Sequence, residues 1–159
     1  MRDLPVYQIL AQDIKDLGVD TVFGLMSDDI CQLFATLDAM QVRVIGVRHE
    51  TQAVMAAAGY AAATGKLGDA LIGRGPAMAN AVHGTLSAAK SGMPVLVISG
   101  DAPLARGAMN VLGPDLKSFP AATVTRACGI APFVPASTGA ARQSLADAVA
   151  EASLGRTAV

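Results

Sequence analysis

Apolar residues recur at helical spacing at Val6, Ile9, Leu10, Ile14 and Leu17, with Gln12, Asp13 and Lys15 between them. This predicts an amphipathic helix over 6–17, closed by Gly18 as a C-terminal cap. The short apolar run Thr21-Val22-Phe23-Gly24-Leu25 predicts a strand over 20–25. Ser27-Asp28-Asp29 offers helix-capping side chains, with a helix predicted over 30–40. A second strand is predicted over 42–47, where β-branched residues dominate. After Arg48-His49-Glu50 a long alanine-rich helix runs to Thr64. A turn at 65–68 leads to a third strand, 69–72, and Gly73-Arg74-Gly75-Pro76 turns into a helix reaching about Lys90. Pro76 suits the first helical position, where its missing N–H costs nothing. Met93-Pro94 introduces a fourth strand, 95–99.

The rest of the chain is less regular. Residues 100–119 are rich in glycine and proline and read as a long functional loop. The segment 123–134 has room for one short strand. A last amphipathic helix is predicted over 137–154, with Leu145, Val149 and Ala152 on one face. Thr157-Ala158-Val159 reads as the opening of a further strand, so the expectation is one domain, 1–159, cut from a longer multidomain chain. Strands alternating with helices predict an α/β fold of three layers, a mostly parallel central sheet with helices on both faces. Short, continuously apolar strands agree with burial on both faces of that sheet.

Composition sharpens this picture. Of the 159 residues, 52% are hydrophobic and 16% charged, against a usual charged share of about 25%. Part of the surface is therefore expected to be buried against another domain or subunit. The alternative is a core rich in small residues, since alanine inflates the count. Net charge is −1, and no basic run interleaved with aromatics exists, which argues against nucleic acid. Cys31 and Cys128 lie far apart without metal-ligand spacing and read as buried free thiols in a reducing compartment. No apolar run is long enough to span a bilayer, and the N-terminus lacks a signal-peptide core. The expected setting is cytoplasmic, with no membrane partner.

Ligands of open parallel sheets bind beyond the carboxyl ends of the strands. Residues 24–29, 48–50, 73–80 and 99–103 all fall there. Glu50 stands at a strand-to-helix junction, where a carboxylate can simply offset the helix dipole, worth about 0.3–1 kcal/mol. His49 is a candidate general base or a structural hydrogen bonder. Arg48 is expected to pair with a carboxylate, and His83 is a candidate substrate contact. Gly73-x-Gly75-Pro76 can seat an anion on helix N–H groups. It lacks the third glycine of a dinucleotide fingerprint and the Lys-Ser/Thr of a phosphate loop.

The motifs are more specific together. Gly18 to Gly24, Val47-Arg48-His49-Glu50, Ala58-Gly59-Tyr60-Ala61 with Thr64-Gly65-Lys66-x-Gly68, Gly75-Pro76-Ala77-x-x-Asn80, and Pro94 to Asp101 with Pro103 follow one another along the chain. In that order they resemble the N-terminal, pyrimidine-binding domain of the acetolactate synthase, benzoylformate decarboxylase and pyruvate oxidase superfamily.

The resemblance implies a thiamine-diphosphate-dependent enzyme acting on a 2-oxo acid. The glutamate at the position of Glu50 would contact the cofactor's aminopyrimidine ring and activate it. Gly75, Pro76 and Asn80 would line the cofactor pocket; Gly24, Met26, Ser27 and His83 are substrate-pocket candidates. The diphosphate and its Mg2+ would be held by a C-terminal domain, of the same type of chain or of a partner subunit, in a homodimer or tetramer. No metal site is expected in this chain; FAD occurs in some members but is not indicated. The chain departs from the family at Met26-Ser27, where Pro-Gly is usual, and at Ala77, where glycine is usual. A Phe-Gln-Glu segment of acetolactate synthases is not clear, with Leu116-Lys117-Ser118 in its place, so an acetolactate synthase itself is not expected. Alternatives are the small subunit of a two-chain decarboxylase and a non-catalytic interaction module.

Overall fold

The computed structural model describes residues 4–101 and 117–159; most of the long loop expected over 100–119 lies outside them. Among the described residues the elements run α1 (Val6–Asp16), β1 (Thr21–Gly24), α2 (Cys31–Ala39), β2 (Arg43–Gly46), α3 (Glu50–Thr64), β3 (Gly68–Ile72), α4 (Pro76–Lys90) and β4 (Val95–Ser99). They continue with α5 (Ala121–Ala127), a single 3-10 turn (Thr138–Ala140), α6 (Ala141–Ser153) and β5 (Thr157–Ala158).

The strands form one parallel sheet in the order β2-β1-β3-β4-β5. After β1 the chain adds β2 on one side, then returns to add β3 on the other. That reversal leaves a crevice beyond the carboxyl ends of β1 and β3, the usual ligand position in such sheets. The fold is therefore the expected α/β arrangement with helices on both faces.

Side-chain alternation along each strand builds two cores. Val22, Leu71, Leu96 and Ala158 point to one face and pack with Ala11 and Ile14 of α1, Phe34 and Leu37 of α2, and Leu145 and Ala152 of α6. Phe23, Ala70, Ile72, Val95 and Val97 point to the other, against Ala53, Val54 and Ala57 of α3 and Met78 and Ala81 of α4. Phe34 is almost fully buried, and its truncation to alanine would cost about 3–5 kcal/mol.

Several local expectations are overturned. The segment 123–134 contributes no strand. Ala121–Ala127 is helical, with the Thr125 hydroxyl donating to Ala121 O at 2.9 Å. Beyond it Gly129 turns the chain left-handed, and Pro132 and Pro135 offer no N–H to a ladder. Phe133 N alone donates to Val159 O, at 2.8 Å. β2 is not buried on both faces: it is an edge strand with Arg43, Ile45 and Gly46 exposed. Ser27, Asp28 and Asp29 do not cap α2, whose N-cap is Ile30 with no side-chain bond; the Asp29 carboxylate is directed to other loops. Both cysteines are half-buried rather than buried, because each flanks a helix end instead of a core face.

Candidate functional site

Glu50 is the first residue of α3, directly after the turn that leaves β2. His49 caps the helix: its Nδ1 accepts the Thr51 N–H at 3.2 Å, satisfying a donor the helix start would otherwise leave open. Two bonds then join the first turn of α3 to α4. The Thr51 hydroxyl donates to Asn80 O at 2.5 Å, and Asn80 Nδ2 donates to Glu50 Oε2 at 3.0 Å. The helices come this close because Gly84 lies under Thr51, where a Cβ would stand 2.9 Å from the Thr51 carbonyl. Glu50 is thus held in one orientation at 9% exposure.

Gly75 is the N-cap of α4, with φ of 69° and Pro76 following as the first helical residue. That left-handed backbone favours glycine, and a Cβ would also run into the Lys117 carbonyl. Gly75, Pro76 and Asn80 therefore occupy the first turns of one helix, with Asn80 bonded to Glu50. His83 is exposed on the same helix, one turn beyond Asn80.

The other expected residues lie at and beyond the carboxyl ends of β1 and β2. Gly24 is the last residue of β1 and buried; a side chain there would meet the Leu71 carbonyl and the Phe34 ring. Met26 is 62% exposed. Ser27 donates to Asp29 Oδ1 at 3.0 Å. Arg48 forms no ion pair among the described residues. It is exposed at the strand end, and its backbone N–H donates to Gln52 Oε1 at 3.3 Å.

Two features escaped the sequence reading. Asp29 Oδ2 accepts the Arg74 N–H at 2.6 Å, and its Oδ1 pairs with the Lys117 ammonium at 2.8 Å. Residues this far apart in sequence give no spacing signal. Asp69 lies in β3 with both carboxyl oxygens buried and without a hydrogen-bond partner; its place in a strand opening gave no warning of that burial.

A cavity of about 210 Å3 lies between β4, α5 and α6 and reaches the carboxyl end of β4, walled by residues such as Val97, Ile98, Gly100, Thr125, Phe133 and Leu145. Neither Glu50 nor Asn80 touches it. The chemistry of the described residues is instead concentrated where α3 and α4 begin. No helix among the described residues is long and apolar enough to cross a membrane.

The family described as "Thiamine pyrophosphate enzyme, N-terminal TPP binding domain" matches residues 5–121. The chain is 36% identical over 101 residues to an acetolactate synthase large subunit of Haemophilus influenzae, covering 63% of this chain and 18% of that protein. It is 39% identical over 98 residues to a catabolic acetolactate synthase of Raoultella terrigena, covering 62% and 17%. It is 34% identical over 94 residues to an acetolactate synthase large subunit of Lactococcus lactis, covering 58% and 16%. The chain thus spans less than a fifth of the length of these curated relatives. Its fold, the matched span and these relatives together place it in the family of N-terminal thiamine pyrophosphate-binding domains of thiamine pyrophosphate enzymes.

Proposed function

We propose that residues 1–159 are the pyrimidine-binding domain of a thiamine-diphosphate-dependent enzyme that decarboxylates 2-oxo acids or joins their acyl units to an acceptor. Glu50 is its catalytic residue. The observation that carries this reading is the buried Glu50 carboxyl at the start of α3, oriented by Asn80 Nδ2 at 3.0 Å.

The residues fit an aminopyrimidine. A carboxyl has several acceptor positions, and Asn80 uses one oxygen, leaving the other for a ring nitrogen. Burial strengthens that bond by keeping water away. When bound, thiamine diphosphate supplies a nucleophilic carbon and an electron sink for loss of carbon dioxide. Glu50 holds or shares a proton at the ring nitrogen, in the manner of a positioned acid–base group. Asn80 keeps the carboxyl from rotating away. The Gly75 backbone, without a side chain, leaves room for the Lys117 carbonyl at the start of α4. Gly24, Met26, Ser27 and His83 border the substrate side.

The diphosphate and Mg2+ are assigned to a C-terminal domain, on this chain or on a partner subunit, in a homodimer or tetramer. The apolar composition and the exposed side chains of Met26, Ile45 and Met55 support such a covered surface. The names of the relatives favour joining of acyl units within this class.

Hydrogen exchange at the cofactor's reactive carbon tests this reading in the full-length protein. Glu50→Gln is expected to slow it by about 10²-fold or more. Exchange at the wild-type rate would remove Glu50 from the chemistry.

A further inference from the structure

The loops at the carboxyl edge of the sheet converge on one carboxylate. Asp29 lies between β1 and α2, and its side chain is 17% exposed. Its Oδ2 accepts the Arg74 N–H, from the loop after β3, at 2.6 Å. Its Oδ1 accepts the Ser27 hydroxyl at 3.0 Å and the Lys117 ammonium at 2.8 Å. Lys117 also pairs with Asp28. The loop after β4 closes on the same group: a Cβ at Gly100 would stand 2.5 Å from Asp29 Oδ2 and 3.2 Å from Arg74 N. Only glycine allows that approach. The Ser99 hydroxyl adds a bond to Gly73 O at 3.2 Å.

A largely buried carboxylate is unfavourable unless it is paired and hydrogen-bonded. Burial pushes the Asp29 pKa up, but the Lys117 ammonium and the Ser27 hydroxyl are among the donors that outweigh it and hold it down to about 2. Asp29 is therefore an anion at any ordinary pH, and charge makes its bond to the Arg74 N–H stronger than a neutral one. Arg74 immediately precedes Gly75, where α4 begins, and α4 carries Asn80. Whatever holds the Arg74 N–H holds the start of that helix.

We propose that Asp29 is a positioning residue for the Glu50 site. Its carboxylate, seated by Lys117, fixes where α4 begins and so keeps Asn80 against Glu50. The geometric half stands by itself; the catalytic consequence rests on the function proposed above. The link runs through a rigid element with one bond at each end, Asp29 to the Arg74 N–H and Asn80 to the Glu50 carboxyl.

The test uses the full-length protein with Asp29→Ala, Asp29→Asn and Lys117→Met, read by amide hydrogen exchange and by exchange at the cofactor's reactive carbon. In Asp29→Ala, amides over 74–80 are expected to exchange about tenfold faster, the scale of losing a charged hydrogen bond. Amides of β3 and α6 keep their wild-type protection. Exchange at the reactive carbon slows by about as much. Asp29→Asn retains an acceptor for the Arg74 N–H and falls between, which keeps the test open if the alanine variant folds poorly. Combining Asp29→Ala with Lys117→Met is no worse than Asp29→Ala alone, because both remove one unit. Unchanged protection over 74–80 overturns the proposal. So does faster exchange spread evenly over the domain, which would make Asp29 a general stabiliser. If Glu50→Gln leaves the reactive carbon unaffected, the catalytic reading fails, while protection over 74–80 still decides the role of Asp29.

Discussion

Asp69 stands in a row of paired strand residues, Val22, Asp69, Leu96 and Ala158, with apolar neighbours on each side. Burial pushes its pKa up to about 8, and the negative charge of Asp20 adds to the effect. An unfolded aspartate titrates near 3.9. The folded protein therefore keeps a proton on Asp69 that the unfolded chain has already lost between those two values. Its contribution to stability is fully present below about pH 4 and lost as pH rises through about 8. Urea unfolding from pH 5 to pH 9 should show this decline, and Asp69→Asn should flatten it. Unaltered pH dependence in the variant would mean that Asp69 has found a partner. Asp20 has the opposite sign: bonded first by Lys66, at 2.5 Å, then by Tyr60, its pKa is lowered to about 2. Its stabilisation is present above about pH 4 and lost as pH falls toward 2. Asp20 and Lys66 are both well exposed, so the effect is small.

The start of α4 concentrates the demands on a single element. Gly75→Ala would place a side chain on a backbone with φ of 69°, which non-glycine residues rarely adopt, at a cost of about 1–3 kcal/mol, and press it on the Lys117 carbonyl. The expected outcome is lower thermal stability together with weaker retention of thiamine diphosphate by the full-length protein. A variant equal to wild type in both would show that the loop has room to spare. This helix was also the most legible element in the chain. Gly-x-Gly-Pro marks its first residue, and Ser91-Gly92 marks its end, so 76–90 could be read with both boundaries correct. Local chemistry of that kind was missing elsewhere. β2 carries the β-branched run of a central strand yet lies at the sheet edge, because strand order is a tertiary fact. Ser27-Asp28-Asp29 looks like a cap in sequence, but Arg74 and Lys117 offer stronger partners than a helix start does. Glu50 was legible as a junction carboxylate, and Asn80 as a motif residue. Their mutual bond depends on how closely α3 and α4 pack at Gly84, which no spacing shows.

At the scale of the whole molecule, α3 is apolar on nearly every side, although only part of it is buried. A helix of that kind is expected to be covered. Met55, at 49% exposure, is its largest uncovered apolar side chain. Met55→Lys in the full-length protein should weaken association with the partner domain or subunit, seen by sedimentation as a shift toward smaller species. Unchanged association would place the covered surface elsewhere. A structure of the full-length protein with thiamine diphosphate bound decides whether Glu50 meets the cofactor. An aminopyrimidine nitrogen is expected within about 2.6–3.2 Å of the Glu50 carboxyl, beside Asn80 and the start of α4. A pyrimidine ring seated away from Glu50 would contradict it.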